Sequence, residues 1–474
     1  MKIRTHEFRE RSTQALDDGF VRGAIARANA SFQASRAKAI GSMPDWEELR
    51  ERGREIKHRA LEELPRALEE FERQLLARGG HVNWCEDAVA ARDTVLSIVR
   101  GVGAKLVTKS KSMVTEEIDL NAALEADGVR VVEGDLGEFI VQLARETPSH
   151  IIAPAIHKSR AEIARLLHEH IACPIDATIP EMTRAARAAL RGDFLGAEVG
   201  ISGGNFLVAE TGTIVIVENE GNARLSTTVP PIHIAVVGIE KVVPRRRDLA
   251  VLLRLLCRSA TGQSVSSYVS FISGPRTRAE SDGPRELHVV LLDGGRSRIW
   301  ANPRARASLQ CIRCGACLNF CPVYERVGGH AYGWVYPGPI GAVITPHLIG
   351  VERAKDLPQA SSLCGRCAEV CPVKIPLPDM LLDLRAESVE SGGAGFGERL
   401  AIALLRRVAS SSVLWRCALG CGRPLWRALR ALGIAKRLPG PARRWSRARD
   451  LPRVETPSFR ARWRATGGFR EESS

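Results

Sequence analysis

Four closely spaced cysteines are the residues of this chain whose types and spacing most clearly predict chemistry. They form the run Cys311-Ile-Arg-Cys314-Gly-Ala-Cys317-Leu-Asn-Phe-Cys321-Pro322, with the spacing C-x2-C-x2-C-x3-C-P. Bacterial ferredoxin-type sequences hold [4Fe–4S] clusters with this spacing, and the fourth cysteine of such a run serves the other cluster of a pair. Structural zinc sites more often use separated C-x2-C pairs. The run therefore predicts an iron–sulfur cluster rather than a zinc site or inert thiols.

A second run repeats the pattern without its first cysteine. It reads Cys364-Gly-Arg-Cys367-Ala-Glu-Val-Cys371-Pro372, and Ser361 stands where the first cysteine would be. Two-cluster ferredoxins exchange the last cysteine of each run. The exchange assigns Cys311, Cys314, Cys317 and Cys371 to one cluster, and Cys321, Cys364 and Cys367 to the other. Two clusters held in this way lie close together, so we predict an electron relay.

The second cluster then lacks a fourth ligand, and three explanations stay open. The cluster is [3Fe–4S]; or Ser361 or a distant thiol, such as Cys417 or Cys421, completes it; or a partner or substrate occupies the open iron. The segment Trp415–Leu429 also reads as a plain amphipathic helix.

The connector Gly328–Gly341 between the two runs is rich in glycine and proline, which indicates turns. We expect its aromatic residues to shield the clusters from water, and we interpret His330 as a loop-packing residue rather than a ligand. Three isolated cysteines, Cys85, Cys173 and Cys257, lie in apolar segments and are predicted to be small buried side chains.

A second set of polar residues lies at the ends of predicted strands, where open α/β sheets bind ligands. The candidates for an anion site are Lys109, Lys111, Glu116, Asn205 and Arg224. Lysine, amide and arginine groups suit an anion, but no segment matches a P-loop or a G-x-G-x-x-G run. A nucleotide site is therefore not predicted.

The elements that must position these residues alternate between strands and helices over residues 80–300. Predicted strands are His81–Trp84, Lys105–Thr108, Val129–Val132, Ile151–Ala153, Phe206–Val208, Thr213–Val217, Ile232–Val237, Tyr268–Ile272 and Leu287–Leu292. Predicted helices include Asp87–Arg100, Thr115–Asp127, Ser159–His170 and Asp248–Ala260. This alternation predicts an α/β domain with a largely parallel sheet. The tight turn Thr211-Gly212-Thr213 predicts one antiparallel pair.

Four regions follow from this pattern. They are a helical arm over 1–79 with a break at Pro65, assigned to packing or subunit contact; an α/β domain over 80–300; an iron–sulfur domain over 301–390; and a basic, partly helical tail over 391–474. Residues 401–474 hold 17 Lys/Arg against 4 Asp/Glu, so they carry nearly all of the net charge of +14. A basic tail on a neutral body favours a solvated tail, an acidic partner or peripheral contact with an anionic membrane over nucleic acid.

No apolar run reaches the roughly 18–20 residues that would span a bilayer. The first residues, Met1 to Glu7, lack the apolar core of a signal peptide. We therefore expect a cytoplasmic protein.

Four longer runs resemble the lactate-utilization (LUD) domain. They are Val107-Thr-Lys-Ser-Lys-Ser-Met-Val-Thr-Glu-Glu-Ile-Asp-Leu-Asn121, Gly200-Ile-Ser-Gly-Gly-Asn-Phe206, Ala209-Glu-Thr-Gly-Thr213 and Asn219-Glu-Gly-Asn222. With the connector and the cysteine runs, they make residues 40–390 similar to the lactate utilization protein B family. Gly204 stands where the family is expected to have alanine, a change that should matter little.

The resemblance implies a LUD domain with a fold similar to the NagB/RpiA/CoA-transferase group, followed by a mostly helical, two-cluster ferredoxin-type domain. It also implies a cytoplasmic role in oxidising L-lactate to pyruvate together with two sister subunits. The family's cluster cysteines carry over onto all seven cysteines from Cys311 to Cys371, and the short second run is the family's own pattern.

Three functions compete. We expect an iron–sulfur electron-transfer subunit that lacks a recognisable flavin or nicotinamide fingerprint and so takes its electrons from a partner. Alternatively, the LUD domain is itself catalytic on a small carboxylate, with the clusters as its electron outlet and with Lys109, Lys111, Glu116, Glu117 and Arg224 around the substrate. The third function is nucleic-acid binding through the basic tail.

Overall fold

The computed structural model describes residues 2–391, 395–431 and 459–466. The chain divides into two compact units, residues 1–393 and residues 394–474. None of the helices within the described ranges is both long enough and apolar enough to cross a bilayer.

The N-terminal arm is helical, as predicted. Its helices are α1 (Phe8–Asp17), α2 (Gly19–Gly41), α3 (Trp46–Glu62) and α4 (Leu64–Leu76). The predicted break falls between α3 and α4, where Pro65 lies in the first turn of α4. A proline is tolerated there because the first backbone N–H groups of a helix have no partner within the helix.

Ten strands follow in the first unit. They are β1 (His81–Cys85), β2 (Leu106–Lys109), β3 (Arg130–Glu133), β4 (Val199–Ser202), β5 (Phe206–Val208), β6 (Thr213–Glu218), β7 (Ile232–Gly238), β8 (Val242–Val243), β9 (Tyr268–Ile272) and β10 (Glu286–Leu292). Six form a sheet in the order β1-β10-β7-β4-β2-β3 in which every pair is parallel. The predicted α/β class with a largely parallel sheet is confirmed.

Helices cover both faces of this sheet. They include α5 (Ala88–Gly101), α6 (Met113–Glu117), α7 (Leu120–Ala126), α8 (Leu136–Leu143), α9 (Arg160–Ile171), α10 (Ile179–Gly196), α11 (Asn222–Thr228) and α12 (Leu249–Ala260). Val95 of α5 belongs to the core on one face and Phe71 of α4 to the core on the other. Strand β7 is consequently buried along its whole length, which explains its continuous apolar run.

The other four strands form a small mixed sheet in the order β8-β5-β6-β9. Strands β5 and β6 pair antiparallel, which confirms the predicted tight turn. Gly212 in this turn has a φ of 58°, a conformation that glycine adopts without steric cost.

The prediction of a strand at Ile151–Ala153 is wrong, because this segment is bent and irregular. The Nδ1 atom of His150 accepts hydrogen bonds from the N–H groups of Ile152 and Ala153 at 3.0 and 3.1 Å, so the side chain takes the place of a strand partner. The prediction also missed β4 and β8. In β4 a Cβ on Gly200 would lie 1.7 Å from the carbonyl oxygen of Ser226, so close packing requires a residue that weakens the strand pattern.

The cysteine-containing region is mostly helical. Its helices are α13 (Arg296–Ala301), α14 (Ala316–Asn319), α15 (Pro322–Val327), α16 (Gly338–Ile349), α17 (Arg366–Glu369) and α18 (Leu377–Glu390). The N-terminal arm packs on this region. Gln33 donates to the carbonyl of Asn319 at 2.7 Å, and Arg50 donates to the carbonyl of Cys371 at 2.8 Å. Packing, one of the two roles predicted for the arm, is therefore present.

The second unit contains the helices α19 (Phe396–Ala409), α20 (Ser412–Ala431) and α21 (Phe459–Ala465). The amphipathic helix predicted over Trp415–Leu429 lies within α20. The rest of the predicted basic tail, residues 392–394, 432–458 and 467–474, lies outside the described residues, so the roles predicted for the tail stay predictions.

Candidate metal centre and ligand pocket

The two cysteine runs follow the same backbone path. Arg313 and Leu363, each directly before a cysteine, have φ values of 59° and 54°, and Gly315 and Gly365, directly after those cysteines, have 75° and 80°. A one-turn helix then begins in each run, α14 in the first and α17 in the second. A left-handed conformation costs a residue other than glycine about 1–2 kcal/mol. Its presence at the same place in both runs shows that they form one repeated loop shape.

Cysteines of both runs meet around one small cavity. Cys311, Cys314, Cys317 and Cys371 line it, and Arg313 is the one charged residue among the other lining residues, which are glycine, proline and aliphatic side chains. Burial, followed by the neighbouring Cys371 and Cys311, raises the pKa of Cys314. Burial likewise raises the pKa of Cys371 to about 11. Four thiolates can share this space only if a cationic group neutralises them, as a metal core does.

Backbone amides donate to the cysteine sulfurs. The N–H of Arg313 lies 3.4 Å from the Sγ of Cys311, and the N–H of Ile375 lies 3.4 Å from the Sγ of Cys371. Hydrogen bonds to thiolates are among the features that set the potential of an iron–sulfur cluster. The donor set is therefore sulfur with amide support and contains no carboxylate, which fits an iron–sulfur cluster.

The remaining three cysteines of the two runs form a second group. Burial, and then the neighbouring Cys321, raises the pKa of Cys367 to about 12. Cys364 contributes to the raised pKa of Cys367 and of Cys321. Cys364 is exposed, whereas Cys321 and Cys367 are buried. Ser361 occupies in the second run the position that Cys311 occupies in the first, and its Oγ accepts a hydrogen bond from the N–H of Leu363 at 3.1 Å.

No three His, Cys, Asp or Glu side chains of the described residues are arranged to hold a single metal ion. A zinc ion draws its sulfur ligands to about 2.3 Å from one point. A cubane instead takes each thiolate on a separate iron, so its ligands stand further apart. The arrangement of the cysteine sulfurs is therefore compatible with a cluster rather than with a single metal ion.

The connector places aromatic residues beside the cysteines. Tyr332, Trp334 and Tyr336 are all buried. Burial, then Cys321, Tyr324 and Cys317, raises the pKa of Tyr332, and its hydroxyl has no hydrogen-bond partner among the described residues. A buried hydroxyl next to the cysteine groups is a donor available to a cluster sulfur. His330 packs in its loop as predicted, with its Nε2 atom 2.7 Å from the carbonyl oxygen of Thr147.

The other cysteines lie elsewhere. Cys85, Cys173 and Cys257 are buried outside both groups, as predicted. Cys417 and Cys421 lie on α20 in the second unit and are exposed. Their role as ligands of the second group stays a prediction.

Comparisons with known proteins agree with these motifs. Residues 68–292 match a family model described as LUD domain, and residues 307–375 match one described as 4Fe-4S dicluster domain. A protein of Bacillus licheniformis named Lactate utilization protein B is 43% identical over 462 residues, which are 97% of each chain. Proteins of the same name from Bacillus thuringiensis and Bacillus anthracis are 44% identical over 461 residues, again 97% of each chain.

The chain belongs to the lactate utilization protein B family. The dicluster match supports iron–sulfur clusters in residues 307–375. A solved structure of a DUF162 family protein from Deinococcus radiodurans covers 48% of this chain and 98% of its own, with 14% identity and a TM-score of 0.27. At that TM-score the likeness supports no statement about the fold.

In this member of the lactate utilization protein B family, a pocket of about 420 Å³ lies at the carboxyl ends of β2 and β4. Ser110, Lys111 and Ser112 line it after β2, and Gly203 to Asn205 line it after β4. The strand order reverses between these strands, since β3 lies on one side of β2 and β4 on the other. Such a reversal point is where open α/β sheets bind ligands.

The structure does not bring the five predicted anion-site residues of this family member together. Lys111 and Asn205 line the pocket. Lys109 is fully buried, and its Nζ atom lies 2.8 Å from Glu133 and 3.0 Å from Glu116, so its charge is neutralised within the protein. The side chain of Arg224 is exposed.

The structure reveals a buried charged network that the sequence analysis missed. Arg296 lies 2.6 Å from Glu240 and 2.8 Å from Glu117, Arg313 lies 3.4 Å from Glu240, and Lys57 donates to the backbone carbonyl of Glu240 at 2.8 Å. Burial opposes ionisation of Glu240, but Arg296 and Lys241 lead the charges that hold its pKa at about 2. The one available signal was the pair Glu240-Lys241 directly after an apolar strand, where charged residues are also ordinary turn chemistry.

Proposed function

We propose that this chain is the iron–sulfur electron-transfer subunit of a cytoplasmic complex that oxidises L-lactate to pyruvate with two sister subunits, permitting growth on lactate. Relatives of nearly full length carry the name Lactate utilization protein B, which supports a role in lactate utilization. The match to a 4Fe-4S dicluster domain supports electron transfer. The four-cysteine cavity that draws on both runs is the observation that carries this proposal.

In this proposal Cys311, Cys314, Cys317 and Cys371 hold one [4Fe–4S] cluster, and Cys321, Cys364 and Cys367 hold a second cluster. Such clusters supply one-electron carriers. Lactate loses two electrons and two protons when it becomes pyruvate, so two neighbouring carriers match the electron count. Buried aromatic residues around both groups exclude water, and backbone amides and buried cations stabilise the negative charge of the ligands.

The test uses the full chain purified without air, with iron and sulfide counted and the clusters followed by EPR. Addition of L-lactate together with the two sister subunits is expected to reduce the clusters. A Cys314→Ala variant should lose iron and lactate-dependent reduction, whereas Cys173→Ala, which removes a buried thiol outside both groups, should keep both. A colourless protein, a protein that binds only zinc, or clusters that lactate never reduces would refute the proposal.

A further inference from the structure

We propose that the pocket between the ends of β2 and β4 binds a small 2-hydroxy or 2-oxo carboxylic acid, with its carboxylate on Lys241 and Arg313. The choice of this class of acid rests on the proposed function. The existence of an anion site rests on the geometry alone, which places two cations at the reversal point of the sheet.

Lys241 is the cation that points to an anionic ligand. It lines the pocket and is 7% exposed. No hydrogen bond or ion pair connects its Nζ atom to any acceptor within the described part of the chain. A buried ammonium group without an acceptor is costly, so a ligand that supplies a negative charge would be bound favourably.

Arg313 provides the second cation. It lines both this pocket and the four-cysteine cavity. Its guanidinium lies 4.5 Å from the centre of the Tyr336 ring and reaches Glu240 through Nη2, while Nη1 is buried with no partner among the described residues. A carboxylate pairs well with a guanidinium that has an N–H edge to spare.

Three acidic residues line the pocket, and each has a partner other than Lys241 and Arg313. Glu220 accepts a hydrogen bond from the N–H of Leu136 at 3.4 Å. Asp135 accepts from the N–H of Glu138 at 3.1 Å and lies 3.6 Å from Lys111. Glu218 accepts from the N–H groups of Ala223 and Arg224, each at 2.8 Å. The pocket therefore has acids held by backbone amides, a Lys241 ammonium group without an acceptor, and an Arg313 whose Nη1 has no partner among the described residues.

The remaining walls suit a short organic acid rather than an inorganic anion. Met113, Ile216 and Leu256 provide apolar surface, and Asn205 and Gln263 provide amides that can bind a hydroxyl or carbonyl oxygen. Because Arg313 lies between Cys311 and Cys314 in the chain, an acid bound to it would lie close to the first cysteine group.

The test is calorimetric titration of the anaerobically prepared full chain with L-lactate, with pyruvate and with inorganic phosphate, alongside EPR of the same samples. We expect at least one of the two acids to bind and to alter the EPR spectrum of the cluster beside Arg313. Lys241→Met should weaken acid binding at least about tenfold. Lys57→Met is the matched control, since it removes another buried ammonium group near Cys311 from outside the pocket, and it should change the affinity less than about threefold.

Three results would overturn the assignment: neither acid binds, phosphate binds in place of the acids, or both variants weaken binding equally. The last result would mean that Lys241 serves only to balance the charge of the cluster. The proposed function is judged separately. Intact clusters that lactate reduces through the sister subunits, with no acid bound to this chain, would leave that function standing and remove the pocket assignment. Acid binding to a chain that forms no clusters would support the pocket assignment and refute the proposed function.

Discussion

Ser361 occupies in the second cysteine run the position that Cys311 occupies in the first. The Oγ of Ser361 accepts a hydrogen bond from the N–H two residues later at 3.1 Å, as the Sγ of Cys311 does at 3.4 Å. The flanking backbone adopts the left-handed conformation at the same two positions of both runs. At this position the second loop therefore has a serine oxygen where the first loop has a cysteine sulfur.

This equivalence predicts that Ser361→Cys adds a fourth thiolate to the group of Cys321, Cys364 and Cys367. Iron should rise by about one per chain, because a [4Fe–4S] cluster is held by four cysteine thiolates and the variant supplies the fourth. An EPR signal of an oxidised three-iron cluster should disappear at the same time. Ser362→Cys, one residue further along, is the control and should leave both unchanged. Unaltered iron and spectra in Ser361→Cys would show that another ligand already completes the site.

Cys371 of the second run lines the same cavity as the first three cysteines of the first run. This arrangement predicts that substituting the last cysteine of one run removes the cluster held mainly by the other run. Cys371→Ala should remove the cluster of the first run, although Cys371 belongs to the second, and Cys321→Ala should remove the cluster of the second run. EPR of each variant and iron counts measure these losses. Cys257→Ala, a buried thiol outside both groups, is the control. If each substitution affected only the cluster of its own run, the exchange of ligands would be excluded.

Burial, and then Lys241, lowers the pKa of Lys57 to about 7, so below that pH its buried ammonium group near Cys311 should raise the reduction potential of the first cluster. Removing a positive charge near Cys311 favours the less negatively charged, oxidised state, so Lys57→Met is expected to lower that potential by on the order of 50 mV. A redox titration followed by EPR measures the shift. The second cluster should change less. Lys355→Met, at an exposed position, should change neither potential, and an equal shift of both clusters would argue against a local charge effect.

His233 in the centre of the parallel sheet should make stability depend on pH. Burial, and then His288, lowers the pKa of His233 to about 3. Its value in the unfolded chain is about 6.5. The unfolded state therefore binds the proton more readily below pH 6.5, and the stabilising contribution, complete above that pH, is lost as the pH falls toward 3. Between pH 6.5 and 5 the loss is about 2 kcal/mol.

Thermal unfolding of the full chain at pH 7.5 and 5.0 tests this dependence. His233→Leu should lose less stability on acidification than the unmodified protein, because it has no proton to gain on unfolding. His170→Leu, at an exposed position of α9, should behave like the unmodified protein. Since cluster damage by acid is common to all three proteins, it cancels in the comparison. An unchanged pH dependence in His233→Leu would contradict the prediction.

Features that depend on a few neighbouring residues could be predicted from the sequence alone. The cysteine spacing reflects the geometry of a loop of about a dozen residues. Both runs could therefore be recognised from the sequence, because they share the spacing C-x2-C-x3-C-P. Most strands were predicted because their alternation or apolar runs are local signals. The exceptions have local causes as well, since Gly200 weakens the pattern of β4 and the His150 side chain bonds the backbone of the segment predicted as a strand.

The role of each charged residue, in contrast, depends on how distant parts of the chain pack together. Lys109 and Lys111 are two residues apart, yet the first is neutralised in the core by Glu116 and Glu133 while the second lines a pocket. Lys241 and Arg313 are 72 positions apart and line the same pocket. Burial and electrostatic pairing depend on which strands and helices pack together, and neither the order of strands in the sheet nor the docking of the cysteine region on it is recorded in any short stretch of sequence.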